Sequence, residues 1–262
     1  MQEATLDRMR LLTPPLPPPP PRLANVTEVA VRHSATLTLL LCSLASSAIR
    51  GQATPTTDTT FTELSASQLD SVAHGLIVVQ TRQIPHAPWP RIRIARFIAA
   101  SPEEGAAMLS DYGHQPDYMK QLAWARVVSR PTASSAEVAF KYRVPMAPDI
   151  EYTVLDRVVK TPDGVAEVTW RLVKSESLAQ AEGSAKFLPW RNPVTGVEGT
   201  ILLYEHFVVP RSSLARLAPD RMARRDVVNA THAIAAEIER ERSRDPTRLN
   251  KQVEAFRRAT AH

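Results

Sequence analysis

The sequence is poor in cysteine and glycine, and it lacks several motifs of common enzyme classes. Its single cysteine, Cys42, excludes an intramolecular disulfide framework and every zinc site built on several cysteines. Only 8 glycines occur in 262 residues, and neither G-x-G-x-x-G nor G-x-x-x-x-G-K-[ST] is present, so the common phosphate-binding loops have no candidate. G-x-S-x-G and H-E-x-x-H are also missing, and the 7 histidines have no metal-ligand spacing. We therefore expect no cofactor and no metal ion.

The composition is typical of a soluble globular protein. Apolar residues make up 44% of the chain and charged residues 23%, which excludes wholesale disorder and a polytopic membrane protein. The net charge is +5, and from Arg211 onward 12 Lys and Arg residues stand against 7 Asp and Glu residues. This surplus predicts either a solvated helix face or a peripheral contact with an anionic membrane. No RNA-binding or zinc-finger motif occurs, so we expect no nucleic-acid partner.

The beginning of the chain predicts an extension rather than a folded domain. Residues 1–28 contain a proline run over 14–21, which favours polyproline II and cannot pack as a core. We interpret residues 1–28 as a disordered proline-rich extension. If translation begins near Val29 or Val31, this extension is not part of the natural product.

Residues 29–53 have the order of a secretory signal. A basic residue, Arg32, precedes an apolar stretch over 35–48, which is shorter than the roughly 20 residues of a membrane span. Small residues follow, so we expect cleavage near Ala53, or at Ala48, and an exported protein that is periplasmic or secreted. The alternative is an uncleaved N-terminal anchor.

The rest of the chain divides into three segments. Residues 54–70 form a polar linker, and residues 71–245 have the pattern of a sheet with one long helix. Residues 246–262 form a polar, basic tail, for which a helix stays open. Period-two alternation and turn residues predict strands over 75–82, 91–98, 124–129, 136–144, 150–159, 165–174, 182–188 and 200–209.

Two short helices and one long helix complete the pattern. Ser101 and Glu104 form a capping box that predicts a helix over about 101–112, and a second short helix fits 114–122. Apolar residues recur at helical spacing over 219–242, which is long enough to cross a whole sheet.

This order of elements resembles the START-like superfamily, also called SRPBCC, which includes polyketide cyclases/dehydrases and coenzyme Q-binding START proteins. The resemblance rests on residues 97–112, on Pro116-Asp-Tyr-Met119 and on Ala125-Arg-Val-Val-Ser129, and it covers about 75–242. It implies an α+β helix-grip fold, in which a curved antiparallel sheet of about six to seven strands wraps around the long C-terminal helix. One departure is Gly105, which stands where such sequences have a bulky apolar residue.

The resemblance also implies a cavity between sheet and helix that holds a hydrophobic ligand. Alternation places large aromatic residues on the inward side of the middle strands, and Arg96 on the same side is a candidate anchor for a ligand carboxylate. The predicted ligand-binding residues are Arg96, Phe140, Tyr142, Tyr152, Trp170, Phe187, Thr231 and Ile234.

Two functions remain open at this point. The first is non-catalytic binding or transport of a lipid, an isoprenoid or quinone, or a polyketide-like molecule. The alternative is a cyclase/dehydratase-type enzyme that uses acid–base residues in the same cavity. No residue is predicted to be catalytic, with Glu205 as a weak candidate because burial on the inward side would raise its pKa. The alternation leaves the face occupied by Glu205 and His206 undecided.

Overall fold

The computed structural model describes residues 61, 63–144, 148–212 and 220–261. The predicted extension and signal segment lie outside these residues. Eight strands form the sheet: β1 (Val78–Arg82), β2 (Arg91–Ile98), β3 (Leu122–Thr132), β4 (Ser135–Tyr142), β5 (Ile150–Lys160), β6 (Ala166–Ser175), β7 (Leu178–Arg191) and β8 (Glu198–Pro210). The helices are α1 (Ala66–Ala73), α2 (Pro102–Ser110), α3 (Gln115–Tyr118), α4 (Asp220–Arg244) and α5 (Pro246–Thr260), and a 3₁₀ turn covers Tyr112–His114.

All neighbouring strands of the curved sheet are antiparallel, in the order β1-β2-β8-β7-β6-β5-β4-β3. β2 lies beside β8 because the chain crosses from one side of the sheet to the other through α2 and α3. The fold is α+β, as the order of elements predicts, although the sheet has eight strands rather than six or seven. Among the described residues, no helix is both long enough and apolar enough to cross a bilayer.

The two faces of the sheet have different cover. The inner face carries Ile94, Val168 and Phe187 and packs against α2, α4 and α5. The outer face carries Ala95 and Ile201 and packs in part against α1. Side chains of successive strand residues alternate between these two faces, so the register of the sheet assigns each residue to one of them.

The predicted linker over 54–70 is wrong at its C-terminal end, because α1 begins at Ala66. The Ser65 side chain accepts a hydrogen bond from the Gln68 backbone amide, and the Gln68 side chain accepts one from the Ser65 amide. This capping box starts the helix, and Val72 then packs on the outer face. The polar composition of residues 54–70 does not indicate this short helix.

Residues 246–262, predicted as a polar, basic tail that could be helical, form the helix α5 over Pro246–Thr260, which packs on the domain. The Asp245 side chain accepts a hydrogen bond from the backbone amide of Arg248 at 3.0 Å and caps the helix. Leu249, Val253 and Phe256 are buried in the inner core. Their spacing of four and three residues places them on one helix face.

Candidate ligand site on the inner face of the sheet

One row of paired residues crosses the inner face in the middle of the sheet. Asp156 pairs with Trp170, Trp170 with Gly183, and Gly183 with His206. His206 in turn pairs with Ile92, whose side chain packs against Val227 of α4 in one core cluster. The row therefore places an acid, an indole and an imidazole on the inner face of four adjacent strands.

Gly183 provides the space for the indole of Trp170. A Cβ atom at this position would overlap the indole and the main-chain oxygen of Glu205. The indole therefore lies over a backbone without a side chain, and its centroid is 5.3 Å from the Tyr204 ring and 6.3 Å from the His206 ring. Three rings from two strands meet at this point of the inner face.

The tyrosines of the chain gather around this row. All five are on the inner side of the fold, and burial raises the pKa of each phenol. The charge of Asp156 contributes to the raised pKa of Tyr152 and of Tyr204, so these hydroxyl groups are near the acid. Tyr142 donates a hydrogen bond of 3.2 Å to Asp226 of α4 and thereby connects the sheet to the long helix.

Asp156 is the acid of the row, and 5% of it is exposed. Burial raises the pKa of its carboxyl to about 7, against a smaller opposite effect of the hydrogen bond from the Tyr112 hydroxyl. Its second oxygen, Oδ1, is buried and has no hydrogen-bond partner among the described residues. At neutral pH the group therefore exists in both forms, and it either donates or accepts a hydrogen bond.

His206 is the base at the other end of the row. Burial, and then the charge of Arg91, lower the pKa of its imidazole to about 4. The ring is neutral at pH 7, so one nitrogen donates and the other accepts. Its Nδ1 atom is buried and unpartnered within the described part of the chain. Two orphaned polar atoms thus lie on opposite sides of Trp170.

Comparisons with known proteins decide the fold. No family model matches the sequence, and no curated protein matches it. Among solved structures, the STAR-related lipid transfer protein of Xanthomonas axonopodis is 14% identical, with a TM-score of 0.55 over 62% of this chain and 93% of that one. Human StAR-related lipid transfer protein 5 is 12% identical, with a TM-score of 0.51 over 63% of this chain and 83% of that one.

The chain has a START-like fold. An aromatase/cyclase from Streptomyces is also similar, at 16% identity and a TM-score of 0.46 over 58% of this chain and 94% of that one. At these identities the likeness concerns the fold alone.

Four of the predicted site residues come together in this START-like domain. Phe140 and Tyr152 stack at 5.4 Å between centroids. Tyr142, Tyr152 and Trp170 pack against the same core cluster as Phe140, beside the row. Phe187 and Ile234, by contrast, are 0% exposed in the core.

Arg96 and Thr231 lie next to each other at one side of α4. Arg96 is on the inner face, and its Nη1 atom donates a hydrogen bond of 3.1 Å to the main-chain oxygen of Thr231. Burial lowers the pKa of the guanidinium, and its Nε atom has no hydrogen-bond partner among the described residues. The Thr231 hydroxyl is already bonded to the oxygen of Val228. Only Arg96 of this pair has donor capacity left for a ligand.

Glu205 is on the outer face, so the condition that made it a catalytic candidate is not met. It pairs with Arg93 in the β2–β8 register, and the two side chains form an ion pair of 2.6 Å. The inner positions of the same strand are Tyr204 and His206. Sequence reasoning missed Asp156 and His206 as site residues. The signal was present for Asp156, which follows Tyr152 and Val154 at the period-two spacing of the inward positions.

A second polar cluster holds three residues with the geometry of metal ligands. Ligand atoms of His114, Glu237 and Glu241 lie within 4.8 Å of one another. The Nη1 atom of Arg248 is 3.1 Å from His114 Nε2 and 3.3 Å from Glu241 Oε2. A guanidinium therefore takes the place that a cation would occupy, and the cluster is an ionic network that joins α5 to α4.

Proposed function

We propose that this START-like domain binds a hydrophobic small molecule between the inner face of the sheet and α4, without catalysing a reaction on it. The observation that supports this proposal best is a pair of buried polar atoms among aromatic rings, Asp156 Oδ1 and His206 Nδ1, which have no partner among the described residues. A buried polar atom without a partner costs free energy. A ligand that offers hydrogen bonds at this place removes that cost.

The chemistry of the row suits a mainly apolar ligand with one or two oxygen functions. The rings of Trp170, Tyr152 and Tyr204 offer apolar surface, and Asp156 and His206 offer both donors and acceptors. Arg96 adds a cation for a ligand that ends in a carboxylate. Lipids, isoprenoid quinones and polyketide-like molecules meet this description. The solved structures with a TM-score above 0.5 include two that are named as lipid transfer proteins, which supports the same class.

A ligand without charge tests the inner-face site, because it is not attracted by the charged residues of the protein surface. The purified full chain would be titrated with decylubiquinone, with quenching of tryptophan fluorescence as the readout, and native mass spectrometry would identify any lipid that co-purifies. We expect saturable binding, and we expect Asp156→Asn and His206→Gln each to raise the Kd about five- to tenfold, because each removes one hydrogen-bonding group.

The matched control is Glu205→Gln, which removes a carboxyl group from the same sheet on the outer face. It should leave the Kd unchanged. If neither decylubiquinone nor a co-purifying lipid is found, or if all three variants weaken binding equally, the inner-face site is refuted.

The second candidate function is a cyclase/dehydratase-type reaction in the same place, and it is favoured by Asp156. A carboxyl with a pKa of about 7 that accepts a hydrogen bond from Tyr112 has the property of a general acid–base group. Incubation with a poly-β-ketone thioester, followed by mass spectrometry of the products, distinguishes the two functions. A product that is lighter than the substrate by one water molecule would establish the enzyme, provided that Asp156→Asn does not form it. An unchanged substrate that nevertheless binds supports the carrier.

We further propose that the protein acts outside the cytoplasm after cleavage near Ala53. The support is the basic, apolar and small order of residues 29–53. Mass spectrometry of the N-terminus of the protein from its native source would find Thr54 first, and an intact chain in the cytoplasm would contradict this proposal.

The basic end of the chain supports a peripheral contact with anionic lipid. Lys251 and Arg258 are exposed on α5, and neither has a carboxylate partner within the described residues. Sedimentation with phosphatidylserine vesicles should fall in the variant Lys251→Gln/Arg258→Gln. Equal sedimentation of both proteins would contradict the contact.

A further inference from the structure

The outer face of the sheet has two adjoining grooves near the turn between β6 and β7. The first has a volume of about 310 Å³ and the second of about 510 Å³. Arg171 and Glu182 line both, so the two grooves share a wall. Arg157 lines the first groove, and Lys174 and Arg211 line the second.

Four basic side chains in these grooves have no carboxylate within ion-pair distance in the described part of the chain: Arg157, Arg171, Lys174 and Arg211. Two other basic residues of the sheet do have a carboxylate partner. Lys186 is paired with Glu167 at 3.6 Å, and Lys141 with Glu151 at 3.2 Å. The two carboxylates of the first groove are already in use, because Glu182 is paired with Arg91, and Glu205 with Arg93.

The register brings two of the free cations together. Arg157 pairs with Thr169, and Arg171 pairs with Leu155, so the two arginines are diagonal neighbours on one face of adjacent strands. Diagonal neighbours are within reach of long side chains, so the two positive charges repel each other. An anion between them would convert this repulsion into two attractions.

The first groove is also lined by neutral hydrogen-bond donors next to these arginines. Thr169 and Ser184 are direct partners across β6 and β7 and both line the groove. The Nε atom of Arg91, a third lining residue, is buried and has no hydrogen-bond partner among the described residues. Guanidinium and hydroxyl donors therefore line the same groove, and within the described residues Arg157 and Arg171 have no carboxylate partner.

We propose that these grooves form an anion site on the outer face that binds a phosphate-bearing ligand. Guanidinium groups recognise both carboxylate and phosphate through two parallel hydrogen bonds. A phosphomonoester is preferred here because its charge of nearly −2 matches two adjacent arginines, and its three oxygens match the additional hydroxyl donors. Its cations differ from the groups of the proposed ligand site, because Arg157 and Arg171 are on the opposite face of the sheet from Asp156 and His206, although Trp170 and Gly183 of the row also line the first groove.

Binding of soluble phosphate compounds and of vesicles tests the site in the full chain. The probes are glycerol 3-phosphate, measured by calorimetry, and phosphatidylcholine vesicles with and without phosphatidic acid, measured by sedimentation. We expect Arg157→Gln/Arg171→Gln to weaken binding at least about tenfold, since two charge-assisted contacts are lost. The control is Lys141→Gln/Lys186→Gln, which removes the same charge from the same sheet at positions with carboxylate partners, and it should change binding less than twofold.

The two probes identify the source of the phosphate. Binding of glycerol 3-phosphate assigns the site to a soluble ligand, and binding only of phosphatidic acid vesicles assigns it to a lipid headgroup. The variant Lys251→Gln/Arg258→Gln separates the second case from a contact through α5, because it leaves the grooves intact. Absence of binding to both probes, or equal weakening by both sheet variants, overturns the proposal. Thermal melting of each variant verifies that the exposed substitutions leave the fold intact.

Discussion

Two places on the inner face receive an aromatic ring in the same way, but the surroundings of the two rings differ. Gly105 of α2 makes room for Phe187, and Gly183 of β7 makes room for Trp170, since a Cβ atom at either glycine would overlap the ring. Phe187 is 0% exposed and belongs to a buried core cluster together with Met108, Ile234 and Phe256. Trp170 is partly buried and lies next to Tyr204 and His206.

The difference between the surroundings of Phe187 and Trp170 separates a region that stabilises the fold from a region with unpartnered polar atoms. We call the region around Phe187, Ile234 and Phe256 the packed end and the row from Asp156 to His206 the polar row. The packed end is covered by α2, α4 and α5, and it provides the apolar burial that stabilises the domain. The polar row carries two buried polar atoms without a partner among the described residues, Asp156 Oδ1 and His206 Nδ1, which cost stability unless a ligand or water satisfies them.

The largest effect is expected from removing α5, which covers only the packed end. A chain ending at Asp245 loses the buried side chains of Leu249, Val253 and Phe256. At roughly 1.5–3 kcal/mol for each buried apolar side chain, the free energy of unfolding should fall by about 5–8 kcal/mol, which is comparable with the total stability of many domains. Urea unfolding is the measurement.

If the shortened chain does not fold, Phe256→Ala in the full chain should still lose about 3–5 kcal/mol. The control Ala255→Ser is at an exposed position of the same helix and should change stability by less than about 0.5 kcal/mol. A loss below about 1 kcal/mol in Phe256→Ala would contradict the docking of α5.

A second experiment compares the two rings directly. Phe187→Ala leaves a cavity in a closed core and should lower the free energy of unfolding by about 3–5 kcal/mol, with little change in the affinity for decylubiquinone. Trp170→Ala should lose less stability, because the indole is only partly buried, and it should weaken ligand binding more. Urea unfolding and ligand titration on both variants are the measurements. The opposite order would mean that Trp170 is ordinary core and that the polar row binds nothing.

Most of the sheet and the long helix could be predicted from local pattern. The strand over 91–98 agrees with β2 to the residue, and the capping box at Ser101 begins α2 one residue later. Alternation also assigned Tyr152 and Trp170 correctly to the inner face. These features depend on near neighbours in the sequence, which is why they are readable without tertiary structure.

The features that could not be predicted depend on long-range contacts. Gly105 weakens the apolar face of a helix in the sequence, and only the position of Phe187 explains it. The side occupied by Glu205 and His206 was undecided because β8 is apolar on both faces. The ion pair with Arg93, a residue 112 positions away, fixes Glu205 outside and so His206 inside. The burial of α5 in the inner core was not predicted, because its apolar residues are diluted by basic ones.

The polar row should show itself in the pH dependence of stability. Asp156 has its pKa raised from 3.8 to about 7, so the folded protein keeps a proton that the unfolded chain releases. Stability from this group falls as the pH rises through that range. His206 has its pKa lowered from 6.5 to about 4, so stability from this group is lost as the pH falls from 6.5 to about 4. Between about pH 4 and 6.5 the two contributions oppose each other.

When the free energy of unfolding is measured against pH, the two single variants should therefore deviate from the wild type with slopes of opposite sign. For Asp156→Asn, we take the free energy of unfolding of the variant minus that of the wild type. This value should rise with pH, by about 3 kcal/mol between pH 4 and 6.5. In His206→Gln the difference should fall with pH by a similar amount, since each pH unit corresponds to at most about 1.4 kcal/mol per group. Urea unfolding at four pH values measures both. Slopes of the same sign would show that these groups are not buried as described.

The smallest effect is expected on the outer face, at Glu205. Glu205→Gln removes the charge that faces Arg93 but keeps an oxygen that accepts a hydrogen bond from the guanidinium. The free energy of unfolding should fall by no more than about 2 kcal/mol, because the pair is largely buried but glutamine keeps a hydrogen bond to Arg93. The affinity for decylubiquinone should not change, and the pH slope of stability should stay that of the wild type. A large loss of ligand affinity in this variant, with an intact fold, would place the carboxyl of Glu205 in contact with the ligand. It would then remove the distinction between Glu205, whose charge is paired with Arg93 on the outer face, and the unpartnered polar atoms of Asp156 and His206 on the inner face.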